Sequence, residues 1–587
     1  MDSAAQGAAA AQVPQEVWER ILLRLDAHDI VRVRRASRTL YHAGTSLSLW
    51  RRLCARLAER APLPAMPRGT PTSSTARTEQ DTHALVRGLE HVVLFAERLA
   101  RRWGTRGAQP RRVLRIRAHV NRITSLKLVV GETRAVGPSA PPRTEYWLVT
   151  GSVDGYVRVW DVNKAMADAE LDVTHDFLDE HDDVHNALST DDEDDDASSR
   201  RRVSTDGSVS DDPANEIRRH ARACLVAEVD TGGDVTSLDA QLHPTTRTLR
   251  IAVGSYYSAA ACLLYDLRLR TRPYVLDLCA SLDPPQWSGT QCVSLLDDTV
   301  AIGTYLGSIQ ILDARSGLRT ILERAERGSI AAIKLFPAHV LSVTRTGQLE
   351  VYALPPAGTT AHLIPMASLA LAQRALLSVA ISEPDPRVAG IMPPHEGTGD
   401  DGAYRAPLSI IAVDQGGLSH FVMAPVAAPF PYALPTLAAR ITMPQERLIG
   451  ASVGASGRRA VLLSSLGGVL PKCAVRSYCV SRADDERLVP LRPTPDTDLP
   501  AAQGEAPEWP LRSPTLAARP VRLEEPRRPR IGRVDSFSSS TSTSSAAPSP
   551  SSRFDMLTEA VVDEAHGVLC LASVRGAVWI SDYGTSV

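Results

Sequence analysis

Lysine is almost missing from this chain. Of 65 basic side chains among 587 residues, only Lys127, Lys164, Lys334 and Lys472 are lysine. A GC-rich genome that favours arginine, alanine and proline codons accounts for this bias. No lysine follows a glycine, which excludes a phosphate-binding loop of the G-K-[ST] type, and HExxH is absent as well. One glycine-rich match exists, 397-GTGDDG-402, in a proline-flanked acidic loop with no strand before it and no helix after it. Its two aspartates would repel a pyrophosphate, so it is a chance match. The eight cysteines (Cys54, Cys224, Cys262, Cys279, Cys292, Cys473, Cys479 and Cys570) include no CxxC pair, which excludes a zinc ribbon. They suit small buried residues in a reducing compartment. His175, His181 and His185 stand in a solvated acidic tract without the fixed surroundings a metal site needs. No metal, cofactor or catalytic residue is therefore expected. No apolar run approaches the ~18 residues that span a bilayer. The start, MDSAAQGAAAAQ, lacks the basic region of a secretory signal. A cytoplasmic or nuclear protein follows, with no membrane partner. The net charge of −2 gives no general pull toward nucleic acid.

What is present falls into two unequal parts. Residues 13–53 form a dense helical stretch, and 61–80, rich in Pro, Ser and Thr, read as a linker. Over 83–103 the residues Leu85, Leu89, Val92, Val93, Ala96, Leu99 and Trp103 share one helical face, which predicts a stalk. From 111 to 587 the pattern changes to short β-type runs. In 145-EYWLVTGSVDGYVRVWDV-162, Asp154-Gly155 marks a tight hairpin turn, and Trp160-Asp161 closes the strand after it. The same six-residue interval recurs from Gly307 to Asp313 and from Gly576 to Asp582. Weaker copies appear at 347–353, 416–422, 260–266 and 473–480, each after another apolar run, which makes seven units. Leu312 and Tyr352 are 40 positions apart, close to the ~40–45 of a propeller blade. This repeat resembles the WD repeat and implies an all-β propeller of seven blades. The spare run 112-RVLRIR-117 is expected to complete the last blade and close the ring. Two stretches, 164–233 (acidic and Ser-rich) and 482–556 (Pro, Ser and Arg-rich), read as disordered insertions.

The opening stretch, 13-VPQEVWERILLRLDAHDIVRVRRASRTLYH-42 with 47-LSLWRRL-53, carries Val13-Pro14, an Ile/Leu-rich first helix ending in Leu25-Asp26, Asp29-Ile30 and Leu49-Trp50. Asp26 is placed to cap the next helix, with Asp29 three residues on. In this order and spacing the residues resemble the F-box, here spanning 13–57. The resemblance implies a small all-α module that docks a Skp-type adaptor, and through it a cullin-RING ubiquitin ligase. About forty residues supply too little core alone. The adaptor is therefore expected to cover one stripe made of Val13, Pro14, Val17, Ile21, Leu22, Leu25, Ile30, Val33, Leu49 and Trp50. The chain as a whole resembles the F-box/WD-repeat substrate receptors of SCF-type ligases, which have no chemistry of their own. The alternative is a scaffold of the same build acting outside any ligase.

Substrates of such propellers lie over the turns between second and third strands. By repeat position this implies a face carrying Tyr256, Tyr257, Tyr305, Arg345 and Arg575, with Arg122 entering from the preceding loop. Arginine forks suit phosphate or carboxylate, and aromatics anchor interfaces, so a protein substrate carrying phosphate is the expected class. Ser204 and Ser536 follow arginines, and Ser189 and Thr190 precede acids, which marks all four as phosphorylation candidates.

Overall fold

The computed structural model describes residues 13–58, 78–132, 144–167, 224–382, 407–490 and 557–584, with short interruptions in the loops. The candidates His175, His181, His185, Ser189, Thr190, Ser204, Ser536 and Tyr257, and the 397–402 loop, lie outside the described residues.

The N-terminal part is a small helical module of α1 (Gln15–Leu22), α2 (Ala27–Val33), α3 (Arg38–Gly44) and α4 (Leu47–Ala58). A long helix, α5 (Glu79–Gly104), completes it. The α5 face anticipated from spacing is buried throughout, and its Leu85, Val86, Leu89, Val92, Val93 and Ala96 join Leu22, Ile30, Leu49, Trp50 and Leu53 in one core. This corrects the expectation that a partner must supply the missing half of that core. The stalk supplies it. Polar contacts fix the docking: Arg34 donates to both Glu90 carboxylate oxygens at 2.7 Å. The cap of α2 is also corrected. Asp26 is the N-cap residue but makes no side-chain cap bond. Glu97 of α5 instead accepts the Ala27 N–H at 3.1 Å and places its negative charge at the positive end of α2.

Beyond α5 the described residues form seven four-stranded antiparallel sheets arranged as a β-propeller. The inner strands run Ile123–Glu132, Asp234–Leu242, Thr290–Leu296, Ile330–Phe336, Ser378–Ile381, Glu446–Val453 and Leu557–Asp563. Each packs on the next, and the last packs on the first, so the ring is closed. A blade alone cannot cover both its faces, and a closed ring covers them all. Arg112–Arg117 pairs antiparallel with Ala577–Asp582 as the fourth strand of the seventh blade, which ties the start of the propeller to its end.

The insertion boundaries need correction. The fourth strand of the first blade, Leu225–Asp230, lies inside 164–233, and that of the sixth, Leu488–Pro490, lies inside 482–556. Both are short, and neither shows a full run of alternating apolar residues. The linker is shorter than expected as well, since α5 already begins at Glu79. Of the cysteines, Cys54, Cys224, Cys262, Cys292 and Cys570 are buried as expected, whereas Cys279 is exposed on an outer strand.

The junction between the two parts is a wedge of aromatic side chains. Trp103, in the last turn of α5, stacks on Tyr583 with ring centroids 4.7 Å apart. The Arg459 guanidinium lies 5.2 Å from the Trp103 ring centroid. Leu99 and Trp103 share a core with Val461 and Leu463 of the sixth blade and Leu569, Leu571 and Trp579 of the seventh. One helix therefore belongs to both cores.

Candidate functional site

Two surfaces stand out, one on each part. On the helical module the anticipated stripe divides into two sets. Leu22, Ile30, Leu49 and Trp50 are interior, at 2% exposure or less, and in this conformation cannot touch a partner. The indole N–H of Trp50 donates to the Gly44 carbonyl at 2.8 Å, which fixes α4 against α3. Val13, Leu25 and Val33 are half-buried. Pro14 is exposed, and Val17 and Ile21 stand out on α1 at 41% and 48% exposure. Tyr41 of α3, at 49%, was no part of the anticipated stripe. Helices α1 and α3 are packed together. Exposed apolar residues spaced four apart on one helix form a patch that no other described residue covers. Arginines surround it in sequence, with Arg20, Arg24, Arg38, Arg51 and Arg52 all exposed. Glu19 is the buried acid beneath. Burial pushes its carboxyl up, but hydrogen bonds from Ser46, Ser48 and Gln15 and the charge of Arg52 hold it below the usual range.

The second surface surrounds one mouth of the propeller channel. Tyr256 and Tyr305, from neighbouring blades, meet edge to face with centroids 5.5 Å apart. Gly289 makes this possible: a Cβ there would lie 1.8 Å from the Tyr256 ring. The Tyr305 N–H donates to the Gly289 carbonyl at 3.1 Å, so both rings are anchored to one backbone segment. Burial pushes the Tyr305 hydroxyl up, while the charges of Arg345 and Arg122 pull it down. Both arginines therefore act on Tyr305. Arg122, Arg345 and Arg575 are all exposed. Arg575 leads into Gly576, whose carbonyl accepts the Ala118 and His119 N–H groups at 2.9 Å, beside the Arg122 loop.

Sequence reasoning missed several members of this face. Arg374 is exposed on the loop that enters the fifth blade, and Leu376 of that loop donates to the Arg345 carbonyl at 2.7 Å. Asp234, paired in register with Tyr256, adds an acid between the basic flanks. Glu559 of the seventh blade feels the charge of Arg122. Register could have pointed to Arg374, which precedes its inner strand as Arg122 does. Glu559 carried no signal, being one polar residue within a strand.

Below the mouth the channel holds about 820 Å³ and is lined by all seven inner strands. Lys127 crosses between blades to Asp239 at 2.8 Å, and Lys334 also lines the wall. A GxSxG string, Gly450-Ala451-Ser452-Val453-Gly454, occurs at the end of the sixth inner strand. Ser452 pairs with Val461 in a regular ladder, whereas a nucleophile elbow needs a strand-to-helix turn. No histidine lines the channel among the described residues.

A polar network braces the first blade. The Trp160 N–H donates to Thr150 Oγ1 at 3.1 Å, Thr150 is 2.7 Å from His119 Nε2, and His119 Nδ1 is 3.0 Å from Asp154. With the proton on Nδ1, each member donates to the next. Asp154 also accepts the Val120 and Tyr156 N–H groups at 3.1 Å, so the network joins the loop before the blade to its tight turn.

Residues 10–56 match a family model described as F-box-like. The match covers the helical module short of its final turn and leaves α5 and the propeller outside. No curated protein matches the chain. The molecule thus combines an F-box-like helical module with a β-propeller, joined by one helix.

Proposed function

We propose that the chain is the substrate-recognition subunit of an SCF-type ubiquitin ligase: its helical module docks a Skp-type adaptor and its propeller holds the protein substrate. The observation that carries this reading is the F-box-like match over a module whose α1 leaves Val17 and Ile21 uncovered. An apolar patch with arginines around it fits a partner surface that is apolar at its centre and acidic at its rim. The propeller is read as the WD-repeat kind, supported by the Trp160-Asp161 ending and the network that holds it. The channel-mouth face, with Arg122, Arg345, Arg374 and Arg575 around a tyrosine pair, suits an acidic or phosphorylated segment with an aromatic or aliphatic residue at its centre. On this reading the subunit has no chemistry of its own. It raises the effective concentration of a substrate lysine at the charged conjugating enzyme. The scarcity of lysine then limits self-modification, and two of the four lysines line the channel.

The test is capture of an adaptor and cullin by the full chain, compared with Val17→Asp/Ile21→Asp. The native chain should recover both partners. The double variant should lose them, at least tenfold in adaptor affinity, with an unchanged melting profile because both side chains are exposed. Adaptor capture without cullin would favour the scaffold reading. No capture by the folded native chain would refute docking altogether. Leu49→Ala/Trp50→Ala is a poor probe, since it empties the module's own core.

A further inference from the structure

One arginine at the channel mouth, Arg122, acts on an acid set in the wall of the ring, Glu559. Thr558 at the head of the seventh inner strand donates its hydroxyl to the Ile123 carbonyl at 2.8 Å. This bond holds the residues next to each, Glu559 and Arg122, at the seam where the ring closes. Glu559 is half-buried in the wall of that seam. Its side of the strand is otherwise apolar: Val561, two residues on, packs in the core shared by the first and seventh blades. A carboxylate in such a place is poorly hydrated, and the charge of the Arg122 guanidinium acts on it. Burial pushes the Glu559 carboxyl up to about 7, and the charge of Arg122 opposes this only in part.

We propose that Glu559 decides whether the Arg122 flank of the recognition face accepts an anion, binding there being coupled to proton uptake by Glu559. When neutral, Glu559 leaves the Arg122 guanidinium to an acidic ligand and can donate a hydrogen bond to it. When ionised, it pairs with Arg122 and repels the ligand. The proposal rests on the reading of this face as an anion site, and adds to it a group that makes recognition sensitive to pH near neutrality.

Other charged groups packed around Glu559 do not supply the same response. Arg122 and Arg575 keep their charge at any physiological pH. His119, in the loop before Arg122, is buried, and burial first and then the Arg158 charge lower its affinity for a proton. Lys127 lies further down the neighbouring strand and is paired with Asp239. Asp563, at the far end of the Glu559 strand, is 2.7 Å from His566. Glu446 and Arg447 open the other neighbouring strand, and their side chains lie outside the described residues.

The probe is a fluorescent peptide of six aspartates, whose charge is constant from pH 6 to 8, titrated against the full chain at fixed ionic strength. If only the neutral form binds, the native affinity falls about tenfold from pH 6 to pH 8, as the competent fraction does. Glu559→Gln should bind at the pH 6 level throughout. In the native chain, calorimetry at pH 7 in two buffers of different ionisation enthalpy should show about half a proton taken up per peptide bound. A native profile flat in pH, or no proton uptake, overturns the proposal and leaves the anion site standing. An undiminished slope in Glu559→Gln assigns the response to another group and also overturns it. If the native chain binds no peptide at any pH, the recognition face itself is wrong and the proposal falls with it.

Discussion

At the scale of single residues, the buried His119 ties stability to pH. It is fully buried, and its neutral form suits the chain of donors from Trp160 to Asp154. Protonation would put a donor on Nε2, where the Thr150 hydroxyl already points, with the Arg158 guanidinium 3.1 Å from the other ring nitrogen. Burial first, then that charge, hold the folded pKa below the ordinary value, against the pull of Asp154. The unfolded chain takes up this proton near pH 6.5 and the folded chain does not, so stability falls as pH drops through that value. Asp154 acts in the same direction further down. Burial pushes its carboxyl up, but its bonds to His119 and Tyr156 and the nearby charges bring it below the usual range. Stability present at neutral pH is thus lost again as the carboxylate is protonated. Between pH 7 and 5 the folded state should lose up to about 1.4 kcal/mol per pH unit from this one histidine. His119→Asn should lower the melting temperature at pH 7 and reduce its slope with pH. An equal slope in native and variant proteins, measured by thermal melts, would show that His119 does not govern it.

At the scale of elements, the inner strands are laced together unevenly. Hydroxyls of Thr124, Thr236 and Thr558 each donate to a carbonyl of the following inner strand. Ser125, Ser237, Asp239 and Ser294 each accept a backbone N–H from the following strand. These bonds cover the arc from the seventh blade through the first to the fourth. The fourth blade has Ala331 and Ala332 at the matching positions and the sixth Ile449 and Gly450, which have no side-chain group to offer, while the fifth has Leu377 and Ser378, so only one hydroxyl stands in that arc. Each missing bond forgoes roughly 1 kcal/mol, and local opening should follow the gap. Amide exchange is therefore expected to be at least tenfold slower in Asp234–Leu242 and Thr290–Leu296 than in Ser378–Ile381 and Glu446–Val453. Equal protection around the ring would refute the uneven arc. The same contrast explains what could be read in advance. Second and third strands were legible because a glycine in a tight turn sits between two apolar runs, and Gly155, Gly307, Gly347 and Gly576 all take positive φ. The fourth strands were not: Ile364–Ala370 and Thr436–Thr442 lie at the rim with most residues exposed, so burial writes no pattern into them. Of the channel-mouth face proposed for recognition, the places of Tyr256 and Tyr305 at its turns followed from register. Gly289 and Glu559 did not, because what matters about them is a contact between blades.

At the scale of the whole molecule, α5 makes the helical module and the propeller one mechanical object. Its 26 residues span about 39 Å, with one end in the module's core and the other between the sixth and seventh blades. The joint lies beside the strand that closes the ring, so stability at the joint and closure of the propeller reinforce each other. On the proposed reading as a ligase subunit the chain would gain from this, because a substrate held at a constant distance from the adaptor has fewer unproductive orientations. Trp103 is the key contact, being 1% exposed, stacked on Tyr583 and covered by Arg459. Trp103→Ala removes roughly 3–5 kcal/mol of packing where collapse around the cavity is hindered by two sheets. The native chain is expected to melt with module and propeller coupled, and the variant in two separated steps. In the variant, adaptor capture and acidic-peptide binding should persist at low temperature while transfer of ubiquitin to a bound substrate slows several-fold. If transfer were unchanged while the melt splits, the two parts could work on a flexible tether. The single helix would then serve the stability of the ring rather than the geometry of delivery.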